Sequence, residues 1–305
     1  MRKNRGVAAI TALLVVAIAA STATFMLAQQ SAMLNQATLV ASRAQADLFA
    51  QAGLDWARGV LAQDAKSGGS WDSLDEGWAQ PIAALPVERA LVSGALSDEQ
   101  AKFNLNNLVR GAAKSDADVQ ILRRLLDALE LPPDLAYAVL DWIDADSDLA
   151  GMAGAEDSHY LALERPYRTA NQAMVQVDEL HRIRGFDAKR VARLKPFVTA
   201  LPTRTPVNVN TASAEVLAAI LPELSREEVR SLVAGRQARP YRAKSDISER
   251  IKKAPPAALE DLDVRSNFFA ARVAVAQDDV QLASESLVRR DPNGTTAIIW
   301  RRPLY

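Results

Sequence analysis

The feature that most constrains the fold is an N-terminal segment of 37 residues, Gly6–Ser42, that contains no ionisable side chain. Its first part, Val7–Ala28, consists of 22 predominantly apolar residues. At about 1.5 Å per residue, a helix of that length crosses a hydrocarbon core about 30 Å thick. The basic residues before it, Arg2, Lys3 and Arg5, predict a cytoplasmic N-terminus. The rest of the chain is then expected on the other side of the membrane, which in a bacterium is the periplasm.

The helical pattern continues well beyond this apolar part. Gln29–Ser42 is polar but uncharged and contains neither Pro nor Gly. Apolar residues then recur at helical spacing, at Ala44, Leu48, Ala52, Trp56 and Val60. This predicts an unbroken helix from Ala8 to Ala65, about 85 Å long. Because its middle is too polar for lipid and too poor in charge for water, we expect it to pack against other helices.

A secretory signal peptide is an alternative interpretation of the same segment. Cleavage after Ala28 would leave a free periplasmic protein, such as an enzyme. However, the apolar stretch is longer than the roughly 7–15 residues of a typical signal peptide, and Phe25–Ala28 is a poor cleavage site. These features favour a membrane anchor.

The N-terminus resembles the class III leader of type IV pilins and pseudopilins. The resemblance rests on the basic leader, on Gly6 and on the apolar run Val7–Val16 that follows it. In that family a membrane aspartyl peptidase cuts after the glycine and N-methylates the new first residue. The resemblance therefore implies cleavage between Gly6 and Val7, and methylation of Val7.

One position differs from the general pilin pattern and narrows the resemblance. Most pilins have Glu as the fifth mature residue, whereas the corresponding residue here is the neutral Thr11. The K-type minor pseudopilin of type II secretion systems, the GspK family, is the member that lacks this glutamate. A carboxylate in hydrocarbon is costly unless it is paired, and in the family it is thought to pair with the N-terminal amine of the subunit above. A neutral Thr11 therefore suits a subunit at the tip of the filament.

The composition excludes several classes of function. The 36 basic and 37 acidic residues nearly cancel, so binding to nucleic acid through bulk charge is not expected. The absence of cysteine excludes disulfide frameworks, thiol nucleophiles and zinc fingers. Neither a phosphate-binding glycine loop nor a hydrolase motif is present, and His159 and His181 have no ligand-spaced partner. We therefore expect a protein that is not an enzyme.

The order of elements predicts an α+β fold. A long pilin-like helix is expected to pack on a small antiparallel sheet, and a large all-α domain of helix-hairpin-helix or SAM-like type to be inserted between early and late strands. The Asn293-Gly294 turn predicts a hairpin between the last two strands. The predicted segments are the leader 1–6, the helix 7–65 with its transmembrane part at 7–28, early strands in 66–108, the inserted domain 109–262 and C-terminal strands in 263–305.

Several internal stretches extend the resemblance to the K-type pseudopilins over nearly the whole chain: Phe103–Leu108, Trp142–Asp146, Gly154–Tyr160, Pro166–Asn171 and Asn208–Ala212. The resemblance implies a single-pass inner-membrane protein with a periplasmic body that initiates pseudopilus assembly for export of folded proteins across the outer membrane. The implied partners are the I-type and J-type minor pseudopilins, bound through the N-terminal helix, together with the major pseudopilin, the prepilin peptidase and the inner-membrane assembly platform.

Helix-hairpin-helix units leave a second function open, that of a membrane-anchored DNA-binding protein of competence type. Asn208–Ile220 looks like the start of such a module. However, the hairpin Leu221–Ser225 lacks glycine, contains Glu223, and lies in a region, 201–250, with a net charge of only +2. DNA binding needs denser cationic contacts, so a packing scaffold is favoured.

An acidic loop is the candidate metal site. Asp144, Asp146 and Asp148 alternate as calcium ligands do at the start of an EF-hand loop, and Glu156 and Asp157 follow. The loop departs from an EF-hand because Ala155 stands where the bidentate glutamate belongs. Two interpretations stay open: a Ca²⁺ site formed by these five residues, or a solvated loop that caps the helix beginning near His159. K-type pseudopilins are known calcium binders, so the resemblance adds weight to the first.

Overall fold

The long N-terminal helix predicted from the sequence is confirmed. In a computed structural model, which describes residues 5–67, 69–111 and 113–304, helix α1 runs from Arg5 to Ser67. Its 63 residues make it about 95 Å long. Every residue from Val7 to Ala41 is exposed, and the helix is long and apolar enough to cross a membrane, with a mean hydropathy of 2.2 over an 18-residue window. Threonine hydroxyls along it bond back to carbonyls of the preceding turn, as Thr22 does to Ile18, so they do not require partners outside the helix.

The remaining elements form a sheet and a set of short helices. The strands are β1 Ile82–Val87, β2 Ala90–Asp98, β3 Phe103–Asn104, β4 Val109–Arg110, β5 Ala113–Lys114, β6 Val198–Thr199, β7 Val207–Asn208, β8 Leu262–Asp263, β9 Phe268–Gln277, β10 Val280–Arg290 and β11 Thr296–Leu304. The helices after α1 are α2 Asp116–Ala128, α3 Leu135–Ile143, α4 Asp157–Tyr160, α5 Ala188–Leu194, α6 Ala214–Ile220, α7 Arg226–Ala238, α8 Lys244–Arg250 and α9 Pro256–Glu260. Short 3₁₀ turns lie at Gly77–Ala79, Glu99–Ala101, Leu105–Leu108, Val177–Arg182 and Lys195–Phe197.

The predicted fold class is confirmed. The sheet has five antiparallel strands in the order β1-β2-β9-β10-β11, so the neighbours β2 and β9 are separated in sequence by the whole helical region. The last two strands form the hairpin expected from Asn293-Gly294, with Gly294 at φ +84°. The sheet thus consists of an N-terminal and a C-terminal part of the chain, joined side by side, and the helical domain is an insertion between them.

Helix α1 packs on this sheet through a face of alanine and leucine residues. The buried positions are Ala46, Ala50, Leu54, Ala57 and Leu61, which meet β9 and β10. At Gly53 a Cβ atom would lie 2.8 Å from Val273 Cγ1, so the helix and the strand approach too closely for any larger residue. The apolar stripe noted in the sequence lies elsewhere on the helix: Leu48 is 70% exposed and Trp56 is 54% exposed. The sheet therefore buries a face of alanine and leucine, with glycine at the closest approach, and Leu48 and Trp56 stay on the surface.

The inserted domain includes residues that the sequence suggested were early strands. Phe103, Leu105 and Leu108 are buried in the core of the helical domain, and β2 ends at Asp98. The strand expected from the alternation of Phe103 and Leu105 is β3, which is only two residues long. It ends because the Asn104 side chain accepts a hydrogen bond from Asn106 N and starts a 3₁₀ turn.

Buried asparagines hold the irregular parts of this domain together. Asn106 donates to the carbonyls of Met174 and Leu201, and its own carbonyl accepts from Met174 N. Asn210 donates to Tyr241 O and accepts from Tyr241 N in the same manner. A primary amide can replace the two hydrogen bonds of a backbone ladder, so these residues satisfy loops that have no regular partner. This explains the asparagine-rich stretches as structural features.

Arg290, at the end of β10, joins the sheet to α1 and to the linker that follows α1. Its guanidinium is buried and donates to Asp64 on α1, to Asp72 in the linker and to the carbonyl of Ser266, with 2.5 Å to each carboxylate. Asp72 also accepts from Ser266 N at 2.7 Å. The planar fork of an arginine matches several fixed oxygens at once, so this contact sets the position of three segments.

We call this contact of Arg290 the Arg290 junction. The inserted domain is connected to it through Asp98, the last residue of β2. Its carboxylate accepts hydrogen bonds from Ser266 Oγ, Thr211 Oγ1 and Asn208 Nδ2 at 2.6–3.1 Å. Complete burial raises the pKa of Asp98 to about 6, although these donors act in the opposite direction. The sheet, the end of α1 and the helical domain are therefore joined by one buried polar network.

We predict that Arg290→Met lowers the free energy of unfolding by about 3–5 kcal/mol, because it leaves Asp64 and Asp72 without their buried counter-ion. Arg289→Met is the matched control: among the described residues the Arg289 side chain pairs with Asp291 alone, and because both are partly exposed its loss costs at most about 1 kcal/mol. Urea denaturation of the detergent-solubilised chain measures both. Equal stability of the two variants would contradict the role of Arg290.

Candidate metal centre

The acidic loop connects α3 to α4, and an aromatic contact holds its two ends together. Trp142 near the end of α3 packs edge-on against Tyr160 at the end of α4, with ring centroids 5.4 Å apart. Both side chains are buried. The segment between the two helices, 144–156, is thus closed into a compact loop by apolar packing, and the position of the carboxylates within it is restricted.

Asp141 shapes the interior of this loop. Its Oδ1 accepts a hydrogen bond from Ala150 N at 3.0 Å, which draws the loop back over α3. The backbone of Gly154 then passes so close that a Cβ atom there would lie 2.4 Å from Asp141 Oδ2. Burial raises the pKa of Asp141 to about 6, an effect opposed in part by the Ala150 hydrogen bond.

The loop brings together three of the five predicted metal ligands, Asp144, Asp146 and Glu156. One carboxylate oxygen from each lies within 4.8 Å of the others. Asp144 and Glu156 are only 3% and 4% exposed, whereas Asp146 reaches the surface. Three converging carboxylates suit a hard cation such as Ca²⁺, which takes only oxygen ligands and accepts irregular geometry.

The two buried carboxylates have an unusual property for a folded protein. Neither oxygen of Glu156 has a hydrogen-bond partner among the residues that the structure describes, and Asp144 has an ion pair with Lys114 at 3.3 Å in place of a close hydrogen bond. Buried carboxylates are normally paired, because an unpaired one carries the full cost of desolvation. Burial, followed by repulsion from Asp141 and Asp144, raises the pKa of Glu156 to about 7. Burial likewise raises the pKa of Asp144, opposed by Lys114.

The other two predicted ligands, Asp148 and Asp157, lie outside this group. The Asp148 backbone N–H donates to Asp146 Oδ1 at 2.8 Å, and its side chain is exposed. Asp157 Oδ1 accepts from both the N–H and the hydroxyl of Thr169, so it holds a neighbouring loop. In an EF-hand loop the backbone directs alternate side chains toward one ion. Here the chain bends at Asp146, so the EF-hand spacing does not bring Asp148 into the group.

Among the described residues, no contact of the Glu156 side chain supports the interpretation that the acidic loop caps α4. Glu156 occupies the N-cap position of α4, but its side chain makes no capping hydrogen bond. Its carboxylate instead belongs to the acidic group with Asp144 and Asp146.

Lys114 completes the group from a distant part of the sequence. Its Nζ lies 3.3 Å from Asp144 Oδ2 and 3.3 Å from Asp146 Oδ2. The lysine ends β5, just before α2, and is separated from the acidic loop by the whole of α2 and α3. Sequence inspection missed it because nothing in the local pattern around Lys114 indicates that it meets the loop.

In a second acidic group, by contrast, every carboxylate has a hydrogen-bond partner. Asp64, Asp72 and Glu76 also bring carboxylate oxygens within 4.8 Å of one another. However, Arg290 donates to both aspartates, and Glu76 Oε2 accepts from Ser73 N and Trp78 Nε1. This group already has its cation in the guanidinium, which distinguishes it from the group around Asp144.

The leader residues lie at the start of α1. Residues 1–4 of the predicted leader 1–6 are outside the described part of the chain, and Gly6 and Val7 fall within the helix. The Thr11 hydroxyl donates to the carbonyls of Val7 and Ala8 at 3.1 and 3.0 Å. Its side-chain polar group is thus satisfied inside the helix, so Thr11 needs no partner in an apolar environment.

The hairpin between α6 and α7 bears on the DNA-binding alternative. Ser225 caps α7, and the Glu228 carboxylate accepts from Ser225 N at 2.7 Å in a capping box. Lys253 donates to the same carboxylate, and this contact, with the capping bonds, lowers the pKa of Glu228 to about 2. A negative charge from the chain itself therefore occupies the end of α7 where a phosphate would bind, and Glu223 is exposed beside it.

Comparison with known families identifies the inserted region. The models for protein K of the type II secretion system match residues 101–203 and 207–265. Together they cover the inserted domain from the turn after β2 to the residues just before β9.

Full-length relatives give the same result. The chain is 30% identical to type II secretion system protein K of Aeromonas hydrophila, over 98% of this chain and 97% of the relative. It is 32% identical to the Pseudomonas aeruginosa protein of that name, over 98% of this chain and 93% of the relative. Among solved structures, a chain in the GspK-GspI-GspJ complex from enterotoxigenic Escherichia coli matches with a TM-score of 0.76 and 25% identity, over 86% of this chain and 96% of that one.

Proposed function

This chain belongs to the type II secretion system protein K family, and on that basis we propose that it is a non-enzymatic minor pseudopilin at the tip of the pseudopilus. In this role it initiates assembly of the filament that exports folded periplasmic proteins across the outer membrane. The resemblance to K-type pseudopilins noted from the sequence is confirmed by the family match. The position at the tip is our proposal.

The observation that carries this proposal is the position of the inserted domain. The domain meets the chain where α1 ends: Asp72 N donates to Val264 O, and Ser70 Oγ donates to Arg242 O. It therefore lies at the end of the long helix that is opposite to its apolar start. In a filament whose subunits stack along their helix axes, a domain at that end that comprises all the helices from α2 to α9 obstructs the subunit that would follow.

The neutral Thr11 supports the same position. A glutamate there would need an amine from a subunit above to neutralise it in hydrocarbon. The Thr11 hydroxyl bonds to its own helix, so the residue makes no such demand. A subunit with nothing above it can therefore remain in the membrane without an unpaired charge.

The exposed surface of α1 supports helical partners. Leu48 and Trp56 are large apolar side chains of α1 that are more than half exposed, and the uncharged stretch 29–41 is exposed throughout. A shallow groove of about 450 Å³ lies beside Trp56, next to Trp78.

We propose that the I-type and J-type minor pseudopilins pack on this surface of α1. The support is the likeness of this chain to a chain in the solved complex of GspK with GspI and GspJ. With α1 inserted in the inner membrane and its N-terminus in the cytoplasm, as we propose, the same helix can also contact the major pseudopilin and the assembly platform.

We further propose that the group of Asp144, Asp146 and Glu156 binds Ca²⁺. The buried oxygens of Glu156, which have no partner among the described residues, support this, because a hard cation supplies the missing partner. When bound, the ion would neutralise these carboxylates and tie α3 to α4.

Cleavage of the leader gives the first of three predictions that test this proposed function. We expect the intact mass of the membrane-extracted protein to correspond to a chain beginning at N-methylated Val7, as a prepilin peptidase would produce. Replacing Gly6 by aspartate should leave the leader attached, whereas Gly59→Asp, on an open position of α1, should not affect cleavage. A chain beginning near Gln29 would instead indicate a signal peptide and remove the filament helix.

The helix face gives the second prediction. Leu48→Asp combined with Trp56→Asp should weaken association with the I-type and J-type partners at least tenfold, because truncating central apolar contacts costs about 2 kcal/mol. Leu74→Asp changes an apolar residue of similar exposure outside α1 and is the control. Co-purification from membranes measures the effect, and unchanged recovery of the partners would exclude this face.

Calcium binding gives the third prediction. The ion needs an ionised Glu156, whose raised pKa of about 7 means that most molecules carry a proton there at pH 6. We therefore expect the calcium affinity to be about tenfold higher at pH 8 than at pH 6. Calorimetric titration of the full chain measures it, with Glu156→Gln expected to abolish the difference. A pH-independent affinity would place the ion elsewhere.

A further inference from the structure

The cation that accompanies the acidic group is a side chain. Lys114 Nζ lies 3.3 Å from an oxygen of Asp144 and 3.3 Å from an oxygen of Asp146, two of the three carboxylates that converge. The single positive charge of Lys114 therefore neutralises only part of the negative charge of the three carboxylates. It leaves both oxygens of Glu156 without a partner among the described residues.

The backbone of Lys114 is held by hydrogen bonds, whereas its side chain is partly exposed. Lys114 pairs with Val109 in the β4–β5 hairpin, and the next residue, Ser115, donates from its N–H to Leu108 O and caps α2. The lysine side chain is 32% exposed, so its flexible four-carbon stem can turn toward solvent. The result is a mobile charge on a fixed attachment point.

A calcium ion and this ammonium compete for the same place. Calcium lies about 2.3–2.6 Å from its oxygen ligands, so an ion bound to Asp144 and Asp146 would sit within a few ångströms of Nζ in its present position. Two cations at that distance repel strongly inside a protein. Calcium can enter only if the ammonium leaves.

We infer that Lys114 is a tethered counter-ion of the acidic group, which substitutes for calcium in the metal-free protein and lowers its calcium affinity by having to be displaced. This rests on the proposed calcium site. The lysine holds Asp144 and Asp146 together when no metal is bound, and the arrival of the ion releases a positive charge to the surface beside α2. Lys114 is thus an affinity-determining residue and not a ligand.

The test compares calcium titrations of full-length, detergent-solubilised variants by calorimetry. Lys114→Met keeps the apolar length of the side chain but removes the charge, and we expect it to bind calcium about tenfold more tightly than the wild type. Lys114→Arg retains the charge and should stay close to the wild type. The control is Lys253→Met, which also removes a lysine and its carboxylate ion pair, with Glu228, but lies on a different part of the domain.

Two results would overturn the inference while leaving the calcium site in place. One is calcium binding by the wild type together with an unchanged or weaker affinity in Lys114→Met. The other is equal tightening in Lys114→Arg, which would mean that packing and not charge determines the affinity. If instead the wild type and all variants fail to bind calcium, the proposed site fails and the inference fails with it.

A measurement on the unaltered protein covers the case in which Lys114→Met does not fold. Amine-reactive labelling read by peptide mass spectrometry should show that Lys114 becomes more reactive when calcium is added, because its ammonium moves into solvent. Lys253 is the internal reference and should not change. Unchanged or reduced labelling of Lys114 at saturating calcium would overturn the displacement.

Discussion

The structure depends on one buried ion pair network, in which Arg290 binds Asp64 and Asp72. Three separate parts of the chain end at this point: the long helix, the last residues of β10 and, through Ser266 and Asp98, the inserted domain. Buried charges stabilise a fold only when each of them has its partners in good geometry. The network is therefore compatible with few arrangements of these segments. It therefore determines how a rod-like helix and a bulky helical domain are held by the same small sheet.

This junction has a direct consequence for assembly. The helical domain is fastened at the end of α1, so the apolar start of the helix and the side chains of Leu48 and Trp56 remain exposed, as the proposed membrane insertion and partner binding require. The sheet takes the face with Ala46, Ala50, Leu54 and Leu61, and the closest approach, at Gly53, admits no side chain. One helix thus has a buried face that packs on the sheet and large apolar side chains that remain exposed elsewhere.

The acidic loop and the Arg290 junction show two solutions to the same physical problem. Both bring three carboxylates together, and both need a cation. At Arg290 the cation is a rigid guanidinium with a hydrogen bond to each aspartate, which suits a permanent structural contact. At Asp144 it is a partly exposed lysine that leaves Glu156 unsatisfied. The second arrangement is therefore incomplete, and this is the basis on which we propose an exchangeable ion there.

The sequence by itself determined the elements whose signals are local and periodic: the helix α1, the late strands with their Asn-Gly turn, the insertion between early and late strands, and the neutral Thr11. It also indicated the acidic loop, but not which of its carboxylates meet. The tertiary structure decided that Asp144, Asp146 and Glu156 converge while Asp148 and Asp157 lie outside their group, that Lys114 joins them, and that α1 buries Ala46 and Leu54 instead of Leu48 and Trp56. The reason is physical. Periodicity reports which backbone conformation a segment prefers, whereas the choice between faces and the meeting of distant charges depend on how closely two packed elements can approach.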